Sequence, residues 1–172
     1  KIGTINNLVV FIRFAGESDF PTPIAAYSGT FNNGQAGANS MANYYREVSY
    51  NQLSIDSTFY PTQNQPYTVS YQDSHARGYY QPYNAVTNPD GYTGGDDGTM
   101  RRDREHALLA GALNAIAWQV PPALQLDGDG DGNVDNVCFV IRGQPTGWSL
   151  LLWPHMWALY TQDVRLNDKR AY

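Results

Sequence analysis

The 172-residue chain has one cysteine, Cys138, so no internal disulfide braces it. Charge is scarce as well. Only 16% of the residues are Asp, Glu, Lys or Arg, and the 16 acidic against 11 basic side chains leave a formal charge of -5. No basic stripe and no Lys/Arg cluster is present, which argues against a nucleic-acid binder and against a polybasic membrane-surface protein. No apolar run approaches the roughly 18–20 residues that cross a bilayer. Ready-made catalytic motifs are missing too. There is no phosphate-binding glycine loop, and Gly147-Trp148-Ser149-Leu150 does not complete a Gly-x-Ser-x-Gly elbow.

What the chain does have is apolar content, 42% of its residues, enough to bury a core within a single domain spanning 1–172. Its polar residues are mostly Tyr, Asn, Gln, Ser and Thr rather than Lys and Glu, which points to a secreted or cell-surface protein. The opening Lys1, with neither an initiator Met nor a signal pattern, reads as a trimmed leader or a cut piece. Cys138 lies inside the apolar run Val137–Ile141 and reads as a buried, inert thiol.

Leu8–Phe14 is a continuous apolar run of the kind found in a strand covered on both faces. Residues 17–39, rich in Pro and Gly, are expected to form a long irregular connection. Ser40 then reads as the N-cap of a short helix whose apolar face is Met41, Tyr44, Tyr45 and Val48. Beyond the turn Ser49–Gln52 the period becomes two. Leu53, Ile55, Ser57 and Phe59 face one side of a half-buried strand, and Tyr67–Tyr71 is a weaker candidate. Residues 72–98 read as loop, and the best helix runs from about Arg101 to Trp118 with Thr99 as its cap. Leu109, Leu113 and Ile116 line one face, and Val120-Pro121-Pro122 stops it. Strands separated by helices predict an α/β fold with a mixed, largely buried sheet and flanking helices.

The sharpest chemical pattern is Asp127-Gly128-Asp129-Gly130-Asp131-Gly132-Asn133-Val134-Asp135. Carboxylates at positions 1, 3 and 5, a glycine at 6 and an oxygen-bearing residue at 9 match the start of a calcium loop. Alternate residues aim their oxygens at one centre while the glycines permit the tight winding. Two unit charges 4 Å apart repel by about 4 kcal/mol at an effective dielectric of 20, and a divalent cation removes that cost. Asp127, Asp129, Asp131 and Asp135, with the carbonyl of Asn133, are therefore the expected ligands of a structural calcium. Position 12 is Cys138 instead of the bidentate Glu of an EF-hand, and a strand follows instead of a helix.

The histidines give no zinc site. Arg102-Asp103-Arg104-Glu105-His106 resembles the inverted zinc motif, but Arg102 stands where a His is required, so His106 is expected on the polar face of its helix. His155, in Trp153-Pro154-His155-Met156-Trp157, is expected as a packed, hydrogen-bonded ring. No catalytic residue is assigned.

Three segments, taken in order, resemble the immune-inhibitor-A-like secreted zinc metallopeptidases. They are Ser40–Leu53, Asp129–Asn136 ahead of an apolar strand, and Trp153–Trp157; the opening strand Leu8–Phe14 is similar as well. The resemblance implies the N-terminal part of a metallopeptidase catalytic domain, a zincin-like sub-domain, with a protein or peptide substrate. It also implies that the zinc-binding His-Glu-x-x-His helix follows residue 172, with Trp153, His155 and Trp157 forming a wall of the cleft. The alternative is a non-enzymatic, calcium-stabilised extracellular binding module or an inactive relative.

Overall fold

The computed structural model describes residues 2–94, 98–145, 147 and 150–172. Part of the Gly94–Gly98 turn, and Trp148 and Ser149 of the incomplete elbow, lie outside the described residues. The fold is α/β, with a parallel sheet and three helices.

Strand β1 (Gly3–Arg13) is the axis of the fold. Its apolar run is fully buried, with Leu8, Val9, Val10, Phe11 and Ile12 at 0% exposure. On one edge β1 pairs along Gly3–Val10 with β2 (Leu53–Tyr60), and beyond that, at Ile12 and Arg13, with the short β3 (Tyr71–Gln72). On the other edge, residues 8–12 pair with β4 (Val137–Ile141). All of these pairings are parallel. The chain leaves β1 toward β2 and later crosses to its other side, so the sheet changes direction between β1 and β4. In open parallel sheets that is where ligand crevices form.

Alternate residues of β1 feed two cores. Leu8, Val10, Ile12 and Phe14 face α3 (Thr99–Ile116), packing with Leu108, Leu113 and Ile116. Val9 and Phe11 face α1 (Ile24–Asn32), packing with Phe20, Ile24, Tyr27 and Phe31. Phe11 is the hub of that smaller core, with ring centroids 5.3 Å from Phe20, 4.8 Å from Tyr27 and 6.1 Å from Phe59. A polar rung crosses the sheet. The buried Asn7 donates to Ser57 Oγ on β2 at 2.9 Å and accepts from Asn136 Nδ2, at the start of β4, at 2.7 Å. Slipping any strand by one residue would break this rung, so it fixes the register.

Helix α1 replaces the irregular connection expected over 17–39. Ile24, Tyr27 and Phe31 fall at i, i+3 and i+7, a helical stripe obscured by the flanking Pro and Gly. Asn32 at its end holds both backbone groups of Ser57, at 2.8 and 2.9 Å. Helix α2 (Met41–Val48) begins as expected, the Ser40 hydroxyl accepting the Asn43 amide at 3.1 Å. Its expected apolar face is not the buried one. Tyr44 and Val48 are 59% and 54% exposed, while Asn43 is buried. Asn43 bonds to Ala38, Glu47 and Arg46, and this network sets the roll of the helix.

Strand β2 alternates as expected, Ile55 and Ser57 buried and Ser54, Asp56 and Thr58 exposed. The Tyr67–Tyr71 candidate shrinks to a bridge between Thr68 and Phe20 and to the two residues of β3. Helix α3 starts at Thr99 itself, with Gly98 at the cap in the left-handed region (φ 63°). It passes into a 3-10 turn over Ala117–Gln119 before the prolines. The chain ends in a hairpin, β5 (Val164–Leu166) and β6 (Lys169–Ala171).

Burying a large aromatic at the hub of a core contributes heavily to stability. Phe11→Ala should cost about 3–5 kcal/mol in urea unfolding, whereas Tyr44→Ala on the exposed side of α2 should cost well under 1 kcal/mol. Equal losses would show that the smaller core is not organised around Phe11.

Candidate metal loop and the cavity beside β4

The acidic loop runs directly into β4, and its winding depends on glycine. Gly130 and Gly132 have φ of 78° and 88°, values that L side chains rarely adopt. The turn this allows brings three amides onto one carboxylate. Asp127 Oδ1 accepts from Gly130 at 2.7 Å and Asp131 at 3.0 Å, and Oδ2 accepts from Gly132 at 3.0 Å. The Lys169 ammonium lies 2.9 Å from Oδ2. Lys169, foremost, and the Gly132 and Gly130 amides hold the Asp127 carboxyl down to about 2, although burial acts against them.

Asp127, Asp129 and Asp131 each bring a carboxylate oxygen within 4.8 Å of the others. Among the described residues this is the one group of three or more His, Cys, Asp or Glu placed to share a metal ion. Asp135 stands outside the group, its Oδ2 accepting the Gly128 amide at 2.9 Å, and Asn133 donates its amide to Asp131 at 2.8 Å.

The terminal hairpin is stitched to this loop. Its turn residues Asn167 and Asp168 both have positive φ, the geometry of a tight two-residue connection. Val134 donates to the Arg170 carbonyl at 2.8 Å and Arg170 to the Gly132 carbonyl at 3.0 Å. Lys169 thereby reaches Asp127, a contact no local sequence pattern announces. The all-oxygen donor set fits calcium, and the ammonium already drawn against Asp127 shows that the loop attracts positive charge. Among the described residues His75, His106 and His155 belong to no metal-sharing group, and no step through zinc follows from them.

Trp153, His155 and Trp157 line a cavity of about 550 Å³ that runs beside β4 and is also bounded by Glu105 and His106 of α3. Here the expectation for His106 is corrected. It is 1% exposed, because segment 151–161 folds back over α3. Its Nδ1 pairs with Thr161 Oγ1 at 2.7 Å, and its ring meets Tyr160 and Trp157 edge-on. Nε2 is buried without a hydrogen-bond partner, and burial, more than the nearby Arg102, pushes the imidazole below its ordinary value.

Glu105 has a side chain only 9% exposed, and its Oε1 lies 2.8 Å from His155 Nε2. Burial pushes this carboxyl up, while His155 and Arg101 oppose the shift. The other ring nitrogen of His155 donates to the Trp153 carbonyl. Sequence reading missed Glu105, since an isolated acid on a helix carries no signal of what will cover it. His75 lies elsewhere, bonded to Asp73 Oδ2 at 3.1 Å and stacked on Tyr79. Cys138 is half-buried, and burial pushes its thiol up, away from nucleophile chemistry.

No protein-family model matches the chain, and no curated protein or solved structure matches it either.

The lowered value of Asp127 sets an acid limit. Its free carboxyl titrates near 3.9 when unfolded, so its contribution is fully present above about pH 4 and is lost as pH falls from there toward 2. Urea midpoints between pH 6 and 2 should fall more steeply for the parent than for Asp127→Asn. Parallel curves would show that Asp127 is not held in its charged form by the fold.

Proposed function

We propose that the chain is the N-terminal part of the catalytic domain of a secreted zinc metalloendopeptidase, with loop 127–135 taking a structural calcium ion. The observation that carries the calcium part is the convergence of Asp127, Asp129 and Asp131 at the entry to β4. The peptidase part is supported by the ordered resemblance of Ser40–Leu53, Asp129–Asn136 and Trp153–Trp157. On this reading the parallel sheet and α3 are the scaffold, and Trp153, His155 and Trp157 form one wall of the cleft. The same resemblance puts the zinc helix beyond residue 172, and among the described residues none of the three histidines joins a metal-sharing group.

Calcium contributes here by joining what the chain has crowded together. Four carboxylates stand in nine residues and one ammonium, Lys169, meets them. A divalent ion offsets the remaining repulsion, so the loop holds β4 at its entry and the hairpin that Lys169 and Arg170 attach to it.

A ligand that binds only the folded state stabilises by about 2.7 kcal/mol at a hundredfold excess over Kd. For a domain of this size that corresponds to a rise in Tm of roughly 5–10 °C. Millimolar calcium should produce such a rise, equal magnesium less, and Asp129→Ala with Asp131→Ala should abolish it. A melting curve indifferent to both calcium and EGTA would reduce the loop to a solvated turn.

The peptidase part is tested separately. A protein carrying this chain together with its zinc helix should cleave casein in a chelator-sensitive way, and residues 1–172 alone should not. Chelator-sensitive hydrolysis by the purified 172-residue chain would overturn the assignment of the zinc ligands.

A further inference from the structure

Glu105 and His155 meet at the wall of the cavity beside β4. His155 Nδ1 donates to a carbonyl, so it carries a proton. Nε2 and Glu105 Oε1, 2.8 Å apart, then need one further proton between them, since a bare lone pair facing a carboxylate is repulsive. This shared proton is all that joins segment 151–161 to Glu105 through His155. The imidazole offers the carboxylate a single N–H. A guanidinium or amidinium offers two parallel ones that match both oxygens.

We propose that this cavity is a binding site for a guanidinium or amidinium group on an apolar stem, which displaces His155 from Glu105. The apolar lining suits the stem: Leu109, Leu113, Val137, Phe139, Leu151 and Leu152. Trp153 and Trp157, 36% and 46% exposed, line the same cavity, and indole is the aromatic group that attracts cations best. At about 550 Å³ the space accommodates an arginine side chain or an aryl amidine.

The other charged groups leave Glu105 as the anchor. Arg101, one turn earlier on α3, is the cation whose field reaches Glu105 besides His155. His106, beside it, is held toward its neutral form by burial, and Arg102 and Asp103 act on His106. At the carboxyl end of β4, Arg77 is spent on Glu17 at 2.8 Å and on the Arg142 carbonyl. Arg142 turns toward Ser18 and Asp19. Asp135, at the entry of β4, accepts the Gly128 amide. Burial raises Glu105 above its ordinary value, against the pull of His155 and Arg101.

Ligand cation and shared proton therefore compete for one carboxylate. Affinity rises with pH by up to tenfold per unit, then levels once the pair has lost its proton. The inference does not rest on the peptidase reading, because it concerns equilibrium binding to residues within this chain.

Benzamidine, its neutral isostere benzamide and a capped Ala-Arg-Ala peptide should be titrated into the 172-residue protein by calorimetry between pH 5.5 and 8.5, in phosphate and in Tris. Benzamidine and the peptide should bind, benzamide at least tenfold more weakly. The apparent enthalpies in the two buffers should differ below the plateau by the release of up to one proton. Tighter binding of the peptide assigns the cation to a polypeptide side chain, and tighter binding of benzamidine assigns it to a small molecule. Glu105→Gln should lose at least tenfold in affinity, while His155→Ala, which removes only the displaced group, should retain binding. Near-UV circular dichroism of each variant checks folding. If Glu105→Gln does not fold, the pH profile and the His155→Ala arm decide. Equal binding of benzamide and benzamidine, a pH-independent affinity, or loss of binding in folded His155→Ala would each overturn the proposal.

Discussion

Strand β1 must be paired on both edges and covered on both faces at once, and every other element is placed by that requirement. Leu8 through Ile12 present five consecutive side chains at 0% exposure, which a strand achieves only at the centre of a layered sheet. The even-numbered residues call for α3 and the odd-numbered ones for α1, so the helices are divided between the two faces. The edges are divided in the same way. β2 and β3 share one in succession, and β4 takes the other. The rung Ser57–Asn7–Asn136 then locks the three main strands in a single register, using polar groups where apolar packing would tolerate a slip.

How legible this was depended on whether the signal lay in neighbouring residues. β1, β2, the Ser40 cap and α3 follow from runs, alternation and helical spacing, and each forms near the expected place. Helix α1 was hidden because its stripe of Ile24, Tyr27 and Phe31 is sparse and sits among Pro and Gly. The roll of α2 was misjudged because the polar network around Asn43 outweighs the apolar spacing of Tyr44 and Val48. The acidic loop could be read from its carboxylates, but not the ammonium that meets it. Lys169 arrives from a hairpin 42 residues further along the chain. Glu105 and His106 are buried by a segment some 50 residues later, a fact that periodicity within α3 does not contain.

The two charged places beside β4 solve opposite problems. In the loop, carboxylates are brought together by backbone amides and glycine turns, so the fold concentrates negative charge at the surface of the sheet and meets part of it with Lys169. In the cavity, Glu105 is taken out of water among apolar side chains and meets the imidazole of His155. On the readings proposed above, the first would take a hard ion with oxygen ligands and the second a flat cation with an apolar stem. β4 runs from one to the other, entering the sheet at the loop and lining the cavity with Val137, Phe139 and Ile141.

The order of the strands along the chain also governs how the molecule is born. β1 emerges from the ribosome before its partners, and the strand that closes its second edge follows about 120 residues later. At ~5–20 residues per second, that is on the order of ten seconds of translation. Residues up to Tyr60 complete a β1–α1–α2–β2 unit that shields one face and one edge. Until α3 is synthesised, the opposite face of Leu8, Val10 and Ile12 has no covering layer, and until β4 follows, the second edge of β1 stays unpaired. The nascent chain must wait half-sheathed, and whatever holds it from its neighbours in that interval becomes part of its folding pathway.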